Sequence, residues 1–343
     1  MLSHFLAKFS GLVSQLAWPD LASRDMATVV IFAAFALLFV LELFFGNRPF
    51  AKRILRNSYL TNLGLLLLND TAMALLSIGA LCLLASNYSE FGLLSFLGDP
   101  WLKAFLSFLI LDLTLYAWHV ACHRYIGLWR FHRVHHSDVS MNVSTAFRVH
   151  IMELLLTTLI KAMVILAMGI ETAVVLVSET VTTLFVMLHH TNIAFAGESL
   201  LSRLFIVPRL HRTHHSQLRA EHDHNYGAVL SLWDRMFGTL SEVEPVAIGL
   251  KNVPEHSLWE SVKYGFASLN PPVLAPSKNP VPNALPAGVD RMIAEAAYYR
   301  AERRGFMPGH EVSDWIQAER EILFRLGLKN RRQPQMARCR SIR

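Results

Sequence analysis

The chain has 343 residues, of which 53% are hydrophobic and 17% charged, and its mean hydropathy is +0.34. Soluble domains carry about 25% charged residues, so this composition excludes an ordinary soluble protein. The net charge of +6 accompanies apolar segments and therefore indicates membrane retention and contact with anionic lipid, not binding to nucleic acid. The cysteines, Cys82, Cys122 and Cys339, are too scattered for a disulfide framework.

Five apolar runs follow one another through the N-terminal part of the chain. Residues 1–25 precede them and place apolar side chains on one helical face, which predicts an interfacial helix. The runs have about the length that a helix needs to cross a bilayer. They are Met26–Gly46, Tyr59–Ser86, Trp101–Trp118, Ile151–Gly169 and Glu171–Leu188. We predict an all-α polytopic membrane helical bundle of about four spans, in which the last two runs form a hairpin that need not cross fully.

Loop charges orient this predicted bundle, because cytoplasmic loops carry an excess of Lys and Arg. Residues 48–56 include four basic side chains, whereas 87–100 include none. The third run and the hairpin would then both end on the cytoplasmic side. This topology predicts a cytoplasmic histidine-rich helical cap and a cytoplasmic C-terminus, in a protein of a bacterial inner membrane.

Three short histidine clusters lie where the third run and the hairpin end. Their spacings are H-x-x-x-H once and H-x-x-H-H twice, and residues three and four apart share a helix face. Imidazole suits iron, zinc, copper and nickel, and eight convergent nitrogens exceed what one four-coordinate ion needs. The clusters therefore predict two metal ions. The eight histidines are His119, His123, His132, His135, His136, His211, His214 and His215.

Three classes of function are compatible with such clusters. A nitrogen-rich site with two metals suits the activation of O2 by iron, which allows cleavage of unactivated C–H bonds. A zinc-dependent membrane hydrolase is disfavoured because the first cluster, H-V-A-C-H, lacks the glutamate of H-E-x-x-H. A metal transporter or metal-binding membrane protein would place ionisable ligands through the membrane depth, whereas these histidines lie at one end. The last two classes remain alternatives.

Residues 112–239 resemble the fatty acid hydroxylase and sterol desaturase superfamily of membrane di-iron enzymes. The three histidine spacings occur in that family's order, the third after a membrane hairpin. Flanking elements are also present: H-T-N from residue 190, D-H-N-Y-G from 223 and W-D-R-M-F-G-T from 233. One position departs from the pattern, because Ile151 stands where many members have proline.

The resemblance implies that the eight clustered histidines and His190 ligate two Fe ions, with His150 and His189 as further candidates. It implies an oxidoreductase that hydroxylates or desaturates a lipid of sterol or fatty acyl type with O2 and two electrons. The chain shows no glycine-rich phosphate loop and no fused haem domain. We therefore expect a separate electron donor of ferredoxin or cytochrome type.

Four carboxylates stand near these elements. A histidine that binds metal usually donates its second nitrogen to a carboxylate or carbonyl, so an acid nearby can orient it. The candidates are Asp112, Asp223, Asp234 and, within the hairpin, Glu179. Asp112 lies two helical turns before His119. Glu179 would carry protons, bind a substrate head group or pair with Lys161, since carboxylates inside a membrane are costly.

The remaining organisation follows from composition. The membrane domain is predicted over 26–270, with its core motifs at 112–239. Residues 271–289 include six prolines, which predicts a linker. Residues 290–328 predict a small soluble module of two helices divided by a turn of Gly and Pro, and this module resembles a short bacterial sequence of unknown role. A basic tail, 329–343, completes the chain.

Overall fold

The computed structural model describes five segments of the chain, which fall into two compact units, one within Met1–Leu269 and one within Asn270–Arg343. The segments are 21–75, 81–250, 253–268, 289–304 and 311–326. The secondary structure of these described residues consists of helices and isolated β-bridges, with no strand. The predicted all-α fold is confirmed for this part of the chain. The predicted N-terminal interfacial helix lies outside it up to residue 20, as do the linker up to residue 288 and the basic tail.

The first unit contains helices of very different lengths. In chain order they are α1 (Leu21–Phe45), α2 (Lys52–Leu75), α3 (Leu81–Tyr88), α4 (Pro100–Arg124), α5 (Ile126–His136), α6 (Ile151–Met168), α7 (Thr172–His190), α8 (Glu198–Leu201), α9 (Pro208–His214), α10 (Arg219–His222), α11 (Leu232–Met236) and α12 (Leu258–Phe266). Among the described residues, α1 from Met26 onward, α4, α6 and α7 are long and apolar enough to cross a membrane. The predicted number of about four spans is therefore confirmed by length and composition.

The second apolar run, Tyr59–Ser86, does not supply one of these four helices. Its described residues divide between α2 and α3, and residues 76–80 lie outside the described part. Its asparagines are buried against polar partners: the Asn62 amide donates to Asp138 at 2.9 Å, and the Asn69 amide donates to the Val149 carbonyl at 2.8 Å. Because α2 uses these polar side chains to pack on the loop after α5, it is less apolar than a membrane span.

The predicted hairpin is formed by α6 and α7. Helix α6 ends at Gly169, whose φ of +67° lies in the left-handed region that favours glycine, and whose N–H donates to the Ile165 carbonyl at 2.9 Å. Helix α7 begins after Glu171 as its N-cap, so the connection is short. An ion pair joins the two arms, since Lys161 Nζ lies 2.9 and 2.7 Å from the two carboxylate oxygens of Glu179.

A buried polar network holds the segment between α5 and α6 against α2. Asp138 accepts hydrogen bonds from Ser58, Asn62 and Thr145 at 2.7 to 2.9 Å. The Arg148 guanidinium donates to the Val134 carbonyl, the Ser137 hydroxyl and the Asn62 carbonyl oxygen. Burial alone would raise the pKa of Asp138, but Arg148 and these hydrogen bonds lower it to about 2. Such a satisfied network fixes one arrangement of the loop and so of the histidines beside it.

The second unit consists, in its described residues, of helices α13 (Val289–Arg303) and α14 (Glu311–Arg325). Their shared core is made of Val289, Ile293, Ala318, Ile322 and Leu323. Arg300 pairs with Glu321 at 2.6 Å, and Arg304 pairs with Asp314. The domain limits predicted from composition stay predictions.

Candidate metal centre

The histidines of all three clusters and His190 meet at one end of the bundle. His119 and His123 occupy the last turns of α4, and α5 starts after a single residue, so its H-x-x-H-H cluster folds back beside them. His190 is the last residue of α7. The other H-x-x-H-H cluster lies on α9, a short helix that begins with Pro208 at its first position, where a missing N–H costs no hydrogen bond.

The nine histidines divide into two groups, and within each group the offered nitrogens all lie within 4.8 Å of one another. The first histidine group is His119, His123, His132, His136 and His214; the second histidine group is His135, His190, His211 and His215. The two H-x-x-H-H clusters contribute reciprocally. One sends its first and last histidines to the first group and its middle one to the second, and the other cluster does the reverse. Adjacent helical residues point about 100° apart, so each H-H pair reaches both groups.

Close approaches between ring nitrogens mark the centre of each group. In the first group, the Nε2 atoms of His132 and His119 lie 3.0 Å apart, and those of His132 and His136 lie 3.2 Å apart. In the second group, His190 Nε2 lies 3.0 Å from both His135 Nε2 and His211 Nε2. Nitrogens bound to one ion at 2.0–2.1 Å lie about 3 Å apart, so these separations fit a shared metal.

The opposite ring nitrogens face hydrogen-bond acceptors. His132 Nδ1 lies 2.7 Å from a Glu153 oxygen, His123 Nδ1 lies 3.1 Å from an Asp223 oxygen, and His119 Nδ1 lies 2.8 Å from the Tyr226 carbonyl. Carbonyls stand in the same position at 3.3, 2.6 and 2.7 Å from Nδ1 of His135, His190 and His214. An Nδ1–H that donates outward leaves the Nε2 lone pair free to bind a metal.

Buried nitrogens without a hydrogen-bond partner complete the test of whether a metal fits. Nε2 of His214 and both ring nitrogens of His215 have no hydrogen-bond partner, although both side chains are fully buried. Buried polar atoms are rarely left unpaired, so such nitrogens indicate an ion that they would bind. The residues present therefore fit metal ions in both groups.

The protonation states of histidines in both groups agree with this fit. Burial, followed by neighbouring imidazoles, lowers the pKa of His132 and of His135 to about 3. The same causes hold the pKa of His136, His214 and His215 well below the usual range. These imidazoles are neutral near pH 7, and a neutral imidazole is the form that binds a metal.

Two of the predicted carboxylates act on a loop instead of a histidine. Asp112 accepts hydrogen bonds from the Val229 and Leu230 N–H groups and, at 2.8 Å, from the Trp233 indole. These hydrogen bonds link Asp112 to the loop, whereas His119 Nδ1 faces the Tyr226 carbonyl, so the orienting role of Asp112 stays a prediction. Asp234 likewise accepts from the Tyr226 N–H at 2.8 Å. Both therefore hold the loop whose Tyr226 carbonyl faces His119. Asp223, by contrast, contacts His123 as described above.

Glu153 is the residue that the sequence analysis missed. It lies in the first turn of α6, where an acidic residue usually needs no more explanation than the helix dipole. Its side chain is almost fully buried, one carboxylate oxygen contacts His132, and the other has no hydrogen-bond partner. The available signal was an acid at the start of an otherwise apolar span, three residues after His150.

The two further histidines differ from each other. His150 accepts a hydrogen bond from the Met152 N–H at 3.1 Å and so caps α6, and its other ring nitrogen lies 3.1 Å from the Val262 carbonyl. It belongs to neither group. His189 is fully buried with its ring centroid 4.0 Å from that of His211, beside the second histidine group but outside it.

A cavity of about 620 Å³ borders both groups. Histidines of the first and the second group lie on its wall, and Lys161 and Glu179 lie on it within the hairpin. Most of the other wall residues are apolar. They include Ile31, Phe35, Leu66, Leu115, Phe147, Leu154 and Val186. Pockets of this size hold small molecules or chain segments of similar volume.

Known proteins match the region that contains these residues. Residues 104–239 match the family model of fatty acid hydroxylase, and residues 289–323 match a protein family of unknown function, DUF2934. The chain is 35% identical over 144 residues to an ornithine lipid hydroxylase of Rhizobium tropici, which covers 41% of this chain and 43% of that protein. It is 30% identical over 172 residues to the alkylglycerol monooxygenase of Homo sapiens, covering 50% of this chain and 37% of that one.

The alkylglycerol monooxygenase of Danio rerio is 32% identical over 169 residues, covering 48% of this chain and 37% of the relative. This chain thus spans less than half the length of these relatives. No solved structure matches it. The segment 104–239 contains every member of both histidine groups and the flanking motifs. Through that segment, the chain matches the fatty acid hydroxylase family and is similar to lipid hydroxylases and monooxygenases, which supports the predicted resemblance to the fatty acid hydroxylase and sterol desaturase superfamily.

Proposed function

We propose that this chain is a membrane-bound di-iron oxygenase that hydroxylates a lipid with O2 and two electrons. The observation that supports it best is the placement of two groups of buried imidazoles on the wall of one largely apolar cavity. The reaction inserts one oxygen atom into a C–H bond and reduces the other to water, consuming two electrons and two protons. A separate donor of ferredoxin or cytochrome type would supply the electrons.

The substrate class follows from the cavity and from the relatives. The apolar wall suits a hydrocarbon chain, of fatty acyl or sterol type. The relatives are named for an ornithine lipid and for alkylglycerol, and both names describe hydroxylation or monooxygenation. We therefore favour hydroxylation over desaturation for this chain.

Each histidine group would hold one iron, and when bound the irons would activate O2 for attack on a C–H bond. The chain's own residues orient the histidine rings and shield the substrate carbon from water. Glu153 and Asp223 fix the rings of His132 and His123 through their Nδ1 atoms. Asp112 and Asp234 hold the loop that carries the Tyr226 carbonyl. The apolar cavity wall excludes water from the substrate carbon, which protects a reactive site from side reactions.

The placement of the centre on the cytoplasmic side of a bacterial inner membrane remains our proposal from the loop charges. The transporter alternative is weakened by the gathering of the ligands at one end of the helices. The hydrolase alternative regains a carboxylate in Glu153, although that residue's contact with His132 suits an orienting role.

Metal analysis tests the proposal against both alternatives. The full chain would be purified in detergent from iron-replete cells, its metals counted, and an iron-enriched sample examined by Mössbauer spectroscopy. We expect about two irons per chain, as nine nitrogens in two groups imply. A His135→Ala/His214→Ala variant, which removes one ligand from each group, should lose them, while His256→Ala, outside both groups, should keep them. Two zinc ions without iron would overturn the oxygenase and revive the hydrolase, and no bound metal would favour the transporter.

A further inference from the structure

We propose that the Lys161–Glu179 pair binds a hydrogen-bond donor, a hydroxyl or an ammonium group, on the polar part of the lipid substrate. The inference rests on the proposed function for the statement that the cavity receives a lipid. It assigns a second anchoring point to that cavity, in the hairpin and apart from the histidines.

The position of the pair is costly. Both residues lie on helices that are long and apolar enough to cross a membrane. An ion pair that is largely removed from water gains little over apolar side chains of similar volume, so joining two helices does not require one. Ionisable residues within membrane spans usually serve binding or transport for this reason. Because both residues also line the cavity, a bound molecule can reach them.

The two partners are unequally exposed, and this decides what they bind. The Lys161 side chain is 13% exposed, whereas that of Glu179 is 38% exposed. The ammonium is therefore the less accessible of the two groups, and the carboxylate offers its remaining lone pairs to the cavity. A carboxylate only accepts hydrogen bonds, so its ligand must donate.

The charge of the cavity wall away from the histidine groups favours the same ligand. Asp70 also lines the cavity, so two carboxylates, those of Asp70 and Glu179, stand against the single ammonium of Lys161. An excess of negative charge repels anionic groups such as a free carboxylate and attracts cationic ones. Among donors, an ammonium group should therefore bind more tightly than a hydroxyl.

The distance to the histidines sets where oxidation occurs. Glu179 precedes His190 by eleven residues on α7, about 16 Å along the helix, and Lys161 follows Glu153 by eight residues on α6, about 12 Å. An extended hydrocarbon chain covers this span with roughly ten to thirteen carbons. A substrate held at the pair would therefore present a carbon at a fixed separation from its polar group.

Probe binding tests the inference without catalysis. Three sixteen-carbon chains, brominated near the methyl end and carrying a primary ammonium, a hydroxyl or a carboxylate, would be titrated into the full chain in uncharged detergent. Trp118 lines the cavity beside His119, so a bromine that reaches it quenches its fluorescence. The Trp118→Phe variant identifies the quenching that arises in the cavity. We expect the ammonium and hydroxyl probes to bind at least about tenfold more tightly than the carboxylate probe.

Two variants separate ligand binding from a structural role. Glu179→Gln should weaken ammonium binding about tenfold. The exchange Lys161→Glu/Glu179→Lys keeps an ion pair but turns an ammonium toward the cavity, so the preference should reverse in favour of the carboxylate probe. If the exchange variant does not fold, Glu179→Gln decides alone. Unchanged relative affinities in the folded variants, or an initial preference for the carboxylate, would overturn the inference.

Failure of this inference and failure of the proposed function give different results. Probe binding requires neither iron nor O2, so it should survive in the His135→Ala/His214→Ala variant. If the chain binds no iron but its preference for the ammonium and hydroxyl probes depends on Glu179, the proposed binding by the Lys161–Glu179 pair holds and the proposed oxygenase function fails. If the chain hydroxylates lipids and Glu179→Gln changes neither probe affinity nor the position of the new hydroxyl, the anchor is wrong and the oxygenase holds.

Discussion

The two histidine groups differ in what stands behind their rings. In the first group, two rings are backed by carboxylates, Glu153 and Asp223, and two by carbonyls. In the second group, His135 and His190 face carbonyls, and no carboxylate of the described residues is hydrogen-bonded to a ring of this group. A carboxylate partner makes an imidazole a stronger donor to a metal. The first group, with five imidazoles against four, should therefore hold its iron more tightly than the second.

The largest effect should follow from removing one imidazole from either group. His136 and His215 are fully buried, and each belongs to a different group. In His136→Ala or His215→Ala, bound iron should fall from about two to about one per chain, and lipid hydroxylation should fall by more than about 100-fold, because even outer partners of ligands are worth 10–100-fold. Metal analysis and mass spectrometry of extracted lipids measure both quantities. Full activity in either variant would contradict a reaction that needs both metals.

The Glu153 carboxylate offers the sharpest way to break the comparison. Glu153→Gln keeps the size of the side chain but removes the charge that faces His132. We expect about 10–100-fold weaker retention of the iron in the first group, with the second unaffected. Stepwise chelation followed by Mössbauer spectroscopy would show which iron leaves first. In the unaltered chain we expect the iron of the second group to leave first, and in Glu153→Gln the iron of the first group. A matched control is Glu242→Gln, whose side chain is 54% exposed, pairs with Arg209 and belongs to neither group.

Low pH should reduce the stability of the folded chain through both histidine groups alike. His132 and His135 belong to different groups, and the pKa of each falls from 6.5 to about 3 on folding. Since the unfolded chain takes up protons below about pH 6.5 while these folded rings stay neutral, stability should be greatest above that pH and should fall toward pH 3. Between these two pKa values, each ring lowers the free energy of unfolding by about 1.4 kcal/mol for every pH unit of acidification. Thermal unfolding of the metal-free chain between pH 7 and 4.5 measures this pH dependence of stability. His132→Gln or His135→Gln should each make the dependence less steep.

The smallest expected effect on iron retention follows from substitution of Asp223. Its carboxylate is 34% exposed and is shared between His123 and Arg219, so water can replace part of its contribution. Asp223→Asn should weaken iron retention in the first group by less than about tenfold, the lower limit for partners of metal ligands. The same stepwise chelation measures how much more readily this variant loses the iron of the first group. An effect as large as that of Glu153→Gln would show that burial of the carboxylate does not set its contribution.

The sequence predicted the gathering of the nine histidines because helical spacing fixes which side chains share a face. It did not predict how they divide between two groups, since that depends on how α5 and α9 approach each other. Glu153 escaped notice for a similar reason: its partner His132 lies on another helix. The sequence did not indicate that Asp112 accepts hydrogen bonds from the loop at Val229 and Leu230, because those partners lie more than 100 residues away along the chain. The sequence did not show which of the five apolar runs supplies no candidate span among the described residues, because the asparagines of Tyr59–Ser86 have partners far along the chain.

Incorporation of isotopic oxygen tests the central claim most directly. Cells that produce the full chain would be grown briefly under ¹⁸O2, and their lipids compared with those from cells producing the His136→Ala/His215→Ala variant. The di-iron oxygenase predicts a lipid that carries one new hydroxyl with its oxygen taken from ¹⁸O2, present only with the unaltered chain. A lipid product whose new oxygen comes from water, or identical lipids in both cultures while the unaltered chain holds its irons, would contradict it.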